Sequence, residues 1–174
     1  MMNPCIKATW APVGQTPVVQ YRNRHHKKVS ALGAIMLAAD QTLSVLINWH
    51  PDSYVRGPEA LAFLQRLLKE IAEGPIDLIW DNLSAHKSLL IKSWAALHPR
   101  LRIHYLPPYA PDLNPIETLW STVKHHRMAN HAIDDLSELE SEAKRHVAAV
   151  AVEQRLLQAC FRSAKLALNL SRAQ

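Results

Sequence analysis

Hydrophobic positions change their period several times along this chain, and each change marks an element. From Val29 to Leu37 the run VSALGAIML is almost uniformly apolar. After the turn-like Ala39-Asp40-Gln41, the run TLSVLINW sets Leu43, Val45, Ile47 and Trp49 against smaller or polar neighbours. Together they read as a hairpin of two strands. Gly57-Pro58-Glu59 opens a segment with apolar residues at Leu61, Leu64, Leu67, Leu68 and Ile71, and Gly74-Pro75 closes it. Proline near the start, glycine at the end and a spacing of three to four predict an amphipathic helix. The short apolar run Ile76 to Trp80 predicts a buried strand that delivers Asp81 at its carboxyl end. The helix-like KSLLIKSWAAL follows, and Leu101 to Leu106 alternates again. The last run reads as a second strand of the same sheet, parallel to its predecessor because a helix separates them.

Four prolines fall between Pro107 and Pro115, which removes backbone donors and restricts the chain to a rigid loop. The loop ends in Asn114-Pro115-Ile116-Glu117, with Asn at the N-cap, Pro at the first helical position and Glu at the third, a near match to a capping box. A helix is therefore expected from Pro115 to about Met128. Beyond Asp134 there is no Gly or Pro, and Leu136, Leu139, Ala143, Val147 and Val150 keep helical spacing, as one long helix or two short ones. No internal repeat and no low-complexity segment interrupts the pattern.

Composition narrows the class. At 174 residues, with 48% hydrophobic and 20% charged residues, the chain has the size and makeup of one folded domain and is neither disordered nor fibrous. Lys and Arg outnumber Asp and Glu by 20 to 15, the pI is about 9.4 and there are ten histidines, a balance that favours a polyanionic partner. Cys5 and Cys160 lie far apart without metal-like spacing, which argues against a disulfide scaffold and fits a reducing cytosol. The N-terminus has no continuous apolar region of the kind that directs export, and no stretch is long enough to span a bilayer, so a cytoplasmic protein without membrane association is expected.

Two carboxylates stand apart from this background. Asp81 ends an apolar strand, and Glu117 sits in the first turn of a helix behind a stiffened loop. Two-metal phosphodiester chemistry needs carboxylates on rigid mounts, so that cations roughly 3.5–4 Å apart hold both the attacking and the leaving oxygens. Hard oxygen ligands select Mg²⁺ or Mn²⁺. Each residue also has a plainer reading: Asp81 as a capping Asp after a strand, Glu117 as a capping-box Glu serving backbone amides.

The block from Leu78 to Asn82 with His86, followed by LPPYAPDLNPIETLW from Leu106 to Trp120, resembles the Tc/mariner-type transposases of bacterial insertion sequences. Thr9 to Pro17, TWAPVGQTP, resembles the region just after the first catalytic strand of that family, so the similarity runs from Trp10 to about Asn130. The resemblance implies an α/β, RNase H-like (retroviral-integrase-like) core: a mixed sheet flanked by helices, as one catalytic domain over 1–174 with its core at about 10–130 and a helical segment at 134–174. It implies an Asp, Asp, Glu triad that binds Mg²⁺ or Mn²⁺, nicks transposon ends and transfers strands into target DNA. Asp81 matches the second Asp and Glu117 the Glu. The family's first Asp lies shortly before the WAP segment, whereas here only nine residues precede Trp10 and none is acidic. Asp40 and Asp52 occupy other positions. The first strand and the end-reading helix-turn-helix are expected to lie outside this chain, as in the downstream product of a split reading frame or a decayed remnant, and little or no catalysis is expected from it alone.

Supporting residues carry paired readings. Arg22, Arg24, Lys27 and Lys28, with His25 and His26, form a basic run suited to phosphates or simply to solvent. Lys124, two turns after Glu117, could with Arg127 hold DNA, or could complement the helix C-terminus. His86 matches a recurrent family histidine and could approach the scissile phosphate or serve structurally. Asn82 could orient Asp81 or stabilise a turn, Asn114 opens the Glu117 helix, and Trp120 is read as core. Three functions compete: a transposase core completed by a homo-oligomer partner or an upstream companion polypeptide; a non-catalytic DNA-binding or dimerising remnant; and, least favoured, an unrelated cellular nuclease.

Overall fold

The computed structural model describes residues 5–18, 28–133 and 135–166. Strand β1 (Val29–Leu37) pairs antiparallel with β2 (Leu43–Pro51), in a register that sets Gly33 opposite Ile47 and Leu37 opposite Leu43. Asp40 closes the hairpin by accepting the Thr42 N–H (2.9 Å), with Gln41 at φ 68°. Helix α1 (Gly57–Glu70) follows, with the Glu59 carboxylate accepting the Arg56 N–H at its start (2.9 Å). Strand β3 (Ile76–Trp80), a 3₁₀ turn at Ser84–Lys87, helix α2 (Leu89–Ala96) and strand β4 (Leu101–Tyr105) form a crossover unit in which β3 and β4 are parallel. Strand directions are thus mixed, and backbone pairing divides the strands into two two-stranded sheets.

The period-two alternation of the hairpin decides what each of its faces meets. Leu32, Ala34, Met36 and Leu46 point toward a cluster with α1 (Phe63, Leu64, Leu67), β3, β4 and Ile91 of α2. Ala31, Ile35, Leu43, Val45 and Ile47 point the other way, into a second cluster built by the C-terminal helices. The hairpin is therefore covered on both sides, which explains why β1 lacks a polar face in the sequence. Side chains of the first cluster, rather than backbone bonds, join the two small sheets.

On the second side lie α3 (Pro115–Thr122), α4 (Leu136–Ala151) and α5 (Gln154–Ser163). The helix expected to run to Met128 does so, but its last turn, Val123–Arg127, widens to π geometry, with the Met128 N–H on the Val123 carbonyl (2.9 Å). The C-terminal segment is two helices. At their junction Gln154 grips the first residue of β2, accepting the Leu43 N–H (3.1 Å) and donating to the Leu43 carbonyl (2.7 Å). Leu119, Val150, Leu157 and Cys160 beneath them have no exposed surface. Full burial of each of the three aliphatic side chains stabilises by roughly 1.5–3 kcal/mol.

Gly33 has a specific reason to be glycine. A Cβ there would lie 2.7 Å from Cζ2 of Trp120, closer than carbon atoms approach, so α3 can seat against β1 only where β1 has no side chain. Trp120 is core, as expected, and meets Trp49 edge-on at 6.4 Å. No helix among the described residues is long and apolar enough to cross a membrane.

Candidate active site

Asp81 immediately follows β3, and the surrounding hydrogen bonds hold that strand end in place. The Leu106 N–H bonds the Trp80 carbonyl (2.8 Å), and the Asn82 side-chain amide donates to the Leu106 carbonyl, tying the ends of β3 and β4 together. Asn82 thus acts on the strand ends and not on Asp81. One carboxylate oxygen of Asp81, Oδ1, accepts the Leu83 N–H (2.9 Å) and lies 2.7 Å from Nδ1 of His86. The capping reading of Asp81 is realised by that oxygen alone, since Oδ2 has no hydrogen-bond partner among the described residues.

His86 is 2% exposed, stacked on the Trp80 ring at 3.8 Å and 17°, and its backbone carbonyl accepts the Tyr105 hydroxyl (2.9 Å). Its Nε2 is buried and has no partner among the described residues. Trp80 therefore fixes the imidazole and Tyr105 the backbone that carries it, and the imidazole fixes Asp81. Sequence reading found His86 but not this cage, because the cage depends on the strand register that sets Trp80 beside Tyr105.

Glu117 occupies the third position of α3. The expected capping box does not form: the Asn114 side chain makes no cap hydrogen bond, although its carbonyl accepts the Glu117 N–H (3.0 Å). Pro115 at the next position leaves one fewer amide in need of a cap. The Glu117 carboxylate accepts no hydrogen bond among the described residues.

The two carboxylates titrate in opposite directions. His86 first, and then the Leu83 N–H, hold Asp81 below its usual range. Partial burial first, and then the negative charge of Asp81, push Glu117 above its own. Glu117 is nonetheless exposed to solvent as a residue. Among the described residues, Asp81 is the charged group that acts on it, and neither Asp40, engaged with Thr42, nor Asp77, engaged with Arg102 and His104, joins them. Unpartnered carboxylate oxygens that repel one another fit a hard divalent cation, which would remove the repulsion.

The basic residues are dispersed. Arg22, Arg24 and Lys27 lie outside the described residues. Lys28 sits over the Tyr54 ring, and Arg127 pairs with Glu153 (2.9 Å). Lys124 is exposed and lines an apolar cavity of about 360 Å³ with Cys5, Trp49, Trp120 and Met128; neither Asp81 nor Glu117 is in its wall. Tyr109, at the tip of the proline loop, is fully exposed with φ 56°.

The mixed α/β core has an RNase H-like fold. The fold is similar to that of the Mos1 transposase paired-end complex with left transposon end (TM-score 0.63, 16% identity, 93% of this chain and 48% of that chain). It is also similar to the Mos1 strand transfer complex (TM-score 0.58, 17% identity, 94% and 48%). Residues 2–140 match the model of the DDE superfamily endonucleases, and the chain belongs to that family. An insertion element IS630 uncharacterized 39 kDa protein of Shigella sonnei is 29% identical over 139 residues, covering 79% of this chain and 39% of that protein. The chain thus spans about two-fifths of this curated relative and about half of each Mos1 chain.

Proposed function

We propose that the whole chain is one catalytic domain, the core of a DDE transposase that nicks DNA at transposon ends and transfers strands to a target. The observation that carries this reading is the placement of Asp81 and Glu117, two carboxylates from different elements, with Oδ2 of Asp81 and the Glu117 carboxylate meeting no hydrogen-bond partner among the described residues and the Asp81 charge acting on Glu117. A Mg²⁺ or Mn²⁺ bound there would stabilise charge on the reacting phosphate and activate the attacking oxygen. Asp81 is aimed by His86, whose hydrogen bond holds its carboxyl below the usual range. Glu117, whose carboxyl is raised by burial and then by the Asp81 charge, is the carboxylate whose ionisation a bound cation would favour.

Among the described residues no third carboxylate joins Asp81 and Glu117; besides DNA, a homo-oligomer partner or an upstream companion polypeptide is the partner of this core. Lys28, Lys124 and Arg127, with Arg22, Arg24 and Lys27, touch phosphates without reading sequence. Asn114 and Asn82 position the two carboxylate-bearing elements. Such a chain works in the bacterial cytoplasm, on the nucleoid when DNA-bound.

The test is nicking of supercoiled plasmid by the purified chain in Mg²⁺ or Mn²⁺, alone and with a polypeptide carrying the upstream strand. Weak nicking that the added strand enhances, and that Asp81→Asn and Glu117→Gln abolish, is the expected result. If the intact chain with its complement cleaves no better than either variant, the chain is a non-catalytic DNA-binding or dimerising remnant.

A further inference from the structure

We propose that His131, Glu142 and His146 form a transition-metal site, separate from the Asp81 and Glu117 pair, that clamps α4 to the segment leaving α3. One ligand atom from each of the three lies within 4.8 Å of the others. Glu142 and His146 are one helical turn apart on α4, so they share a face. His131 comes from the other side, its ring centroid 6.4 Å from that of His146 at 61°. Two imidazoles and one carboxylate select a borderline cation such as Zn²⁺ or Co²⁺ over Mg²⁺, which prefers an all-oxygen shell.

A second observation shows that the cluster converges on positive charge. The Arg145 guanidinium bonds both Glu142 oxygens (3.1 and 2.6 Å) and also lies 3.1 Å from Nε2 of His146. A guanidinium can only donate, so Nε2 faces it as a bare acceptor, its lone pair turned to the cation that Glu142 also holds. Arg145 is exposed and can leave, whereas His146 is 8% exposed and held by the packing of α4.

The third ligand is also fixed in advance. Asn130, at φ 61°, donates its N–H to the Cys5 carbonyl (2.8 Å) and accepts the Lys7 N–H on its side chain (2.8 Å), while the His131 N–H reaches the Met128 carbonyl (3.3 Å). Since Met128 closes the π turn that ends the Glu117 helix, a cation at this site ties that helix to α4. Its role is structural.

The experiment is Co²⁺ titration of tag-free, chelator-stripped protein, followed by visible d–d absorption, with circular dichroism as a check on folding. One Co²⁺ per chain should bind, displaced by Zn²⁺ but not by a large excess of Mg²⁺. His131→Ala removes an exposed ligand without opening the core and should weaken binding by about 10²-fold or more. Arg145→Gln, which removes the competing cation, should tighten it. The Asp81→Asn, Glu117→Gln double variant should leave the spectrum unchanged. No stoichiometric absorption, absorption unaltered in His131→Ala, or a thiolate charge-transfer band placing the metal at Cys5, whose Sγ lies 2.7 Å from Nδ1 of His125, would each overturn the proposal.

Discussion

Nδ1 of His86 lies 2.7 Å from Oδ1 of Asp81, while the same imidazole is stacked flat on Trp80. An aspartate at a strand end is thereby held by a buried aromatic pair rather than by a flexible loop. His86→Phe keeps the stack and removes the hydrogen bond. The Asp81 carboxyl should then rise toward its ordinary value of 3.8, as read by carboxyl NMR titration. Because the folded-state value is depressed in the native protein, the stabilisation from this contact is present above about pH 4 and fades as pH falls through that depressed value. Relief of the unpartnered Nε2 offsets part of the loss, keeping the net cost within about 1 kcal/mol at neutral pH. An unmoved Asp81 titration would separate the two residues.

Glu117 has the opposite sign. Its carboxyl is raised above 4.5 in the folded chain, so its ionisation costs stability. The cost is absent below pH 4.5, grows as pH rises through the folded value and is complete above it. Glu117→Gln should therefore melt higher than the native chain at pH 7 in chelator, and the difference should vanish by about pH 4. Solvent screening limits the gain to a fraction of a kcal/mol, on the order of one or two degrees. Divalent cation should stabilise the native chain more than the variant.

Gly33→Ala places a methyl group 2.7 Å from Trp120. Overpacking of this kind costs about 1–3 kcal/mol, measurable by urea unfolding. Trp120→Leu leaves its own cavity but removes the clash, so the double variant should be less unstable than the sum of the two singles.

Gln154→Ala deprives both backbone groups of Leu43 of their partners. A loss of about 1–3 kcal/mol is expected, with amide exchange at Leu43 accelerating more than exchange in β3. Equal acceleration in both strands would mean that Gln154 acts globally and not as a local clip.

DNA affinity should fall steeply with salt, and Lys124→Ala should reduce the slope of log K against log salt by about 0.9 if that side chain meets one phosphate. An unchanged slope would remove Lys124 from the DNA surface.

The hairpin, α1, the β3–α2–β4 unit and the start of α3 were legible because each has its own period and its own proline or glycine punctuation. The break between α4 and α5 was not, since Val152-Glu153 contains neither residue and the turn is stabilised by Gln154 reaching a strand more than a hundred residues away. The π turn escaped for a similar reason, as widening by one residue leaves the hydrophobic spacing almost intact. The His131, Glu142 and His146 cluster left only the four-residue spacing of its last two members, which an ordinary solvated helix face would also show.

The sequence by itself determined the elements, the positions of Asp81 and Glu117 at a strand end and a helix start, and, through the resemblance of the blocks that carry them, the family. Only the tertiary structure decided what those carboxylates experience. The parallel register of β3 and β4 places Trp80 and Tyr105 around His86, and α3 seated on Gly33 holds Glu117 within reach of the Asp81 charge. Local pattern records which residues lie inside and in what period. Whether a carboxylate is capped, paired or left facing another depends on elements distant in sequence, and those meet only when the chain folds.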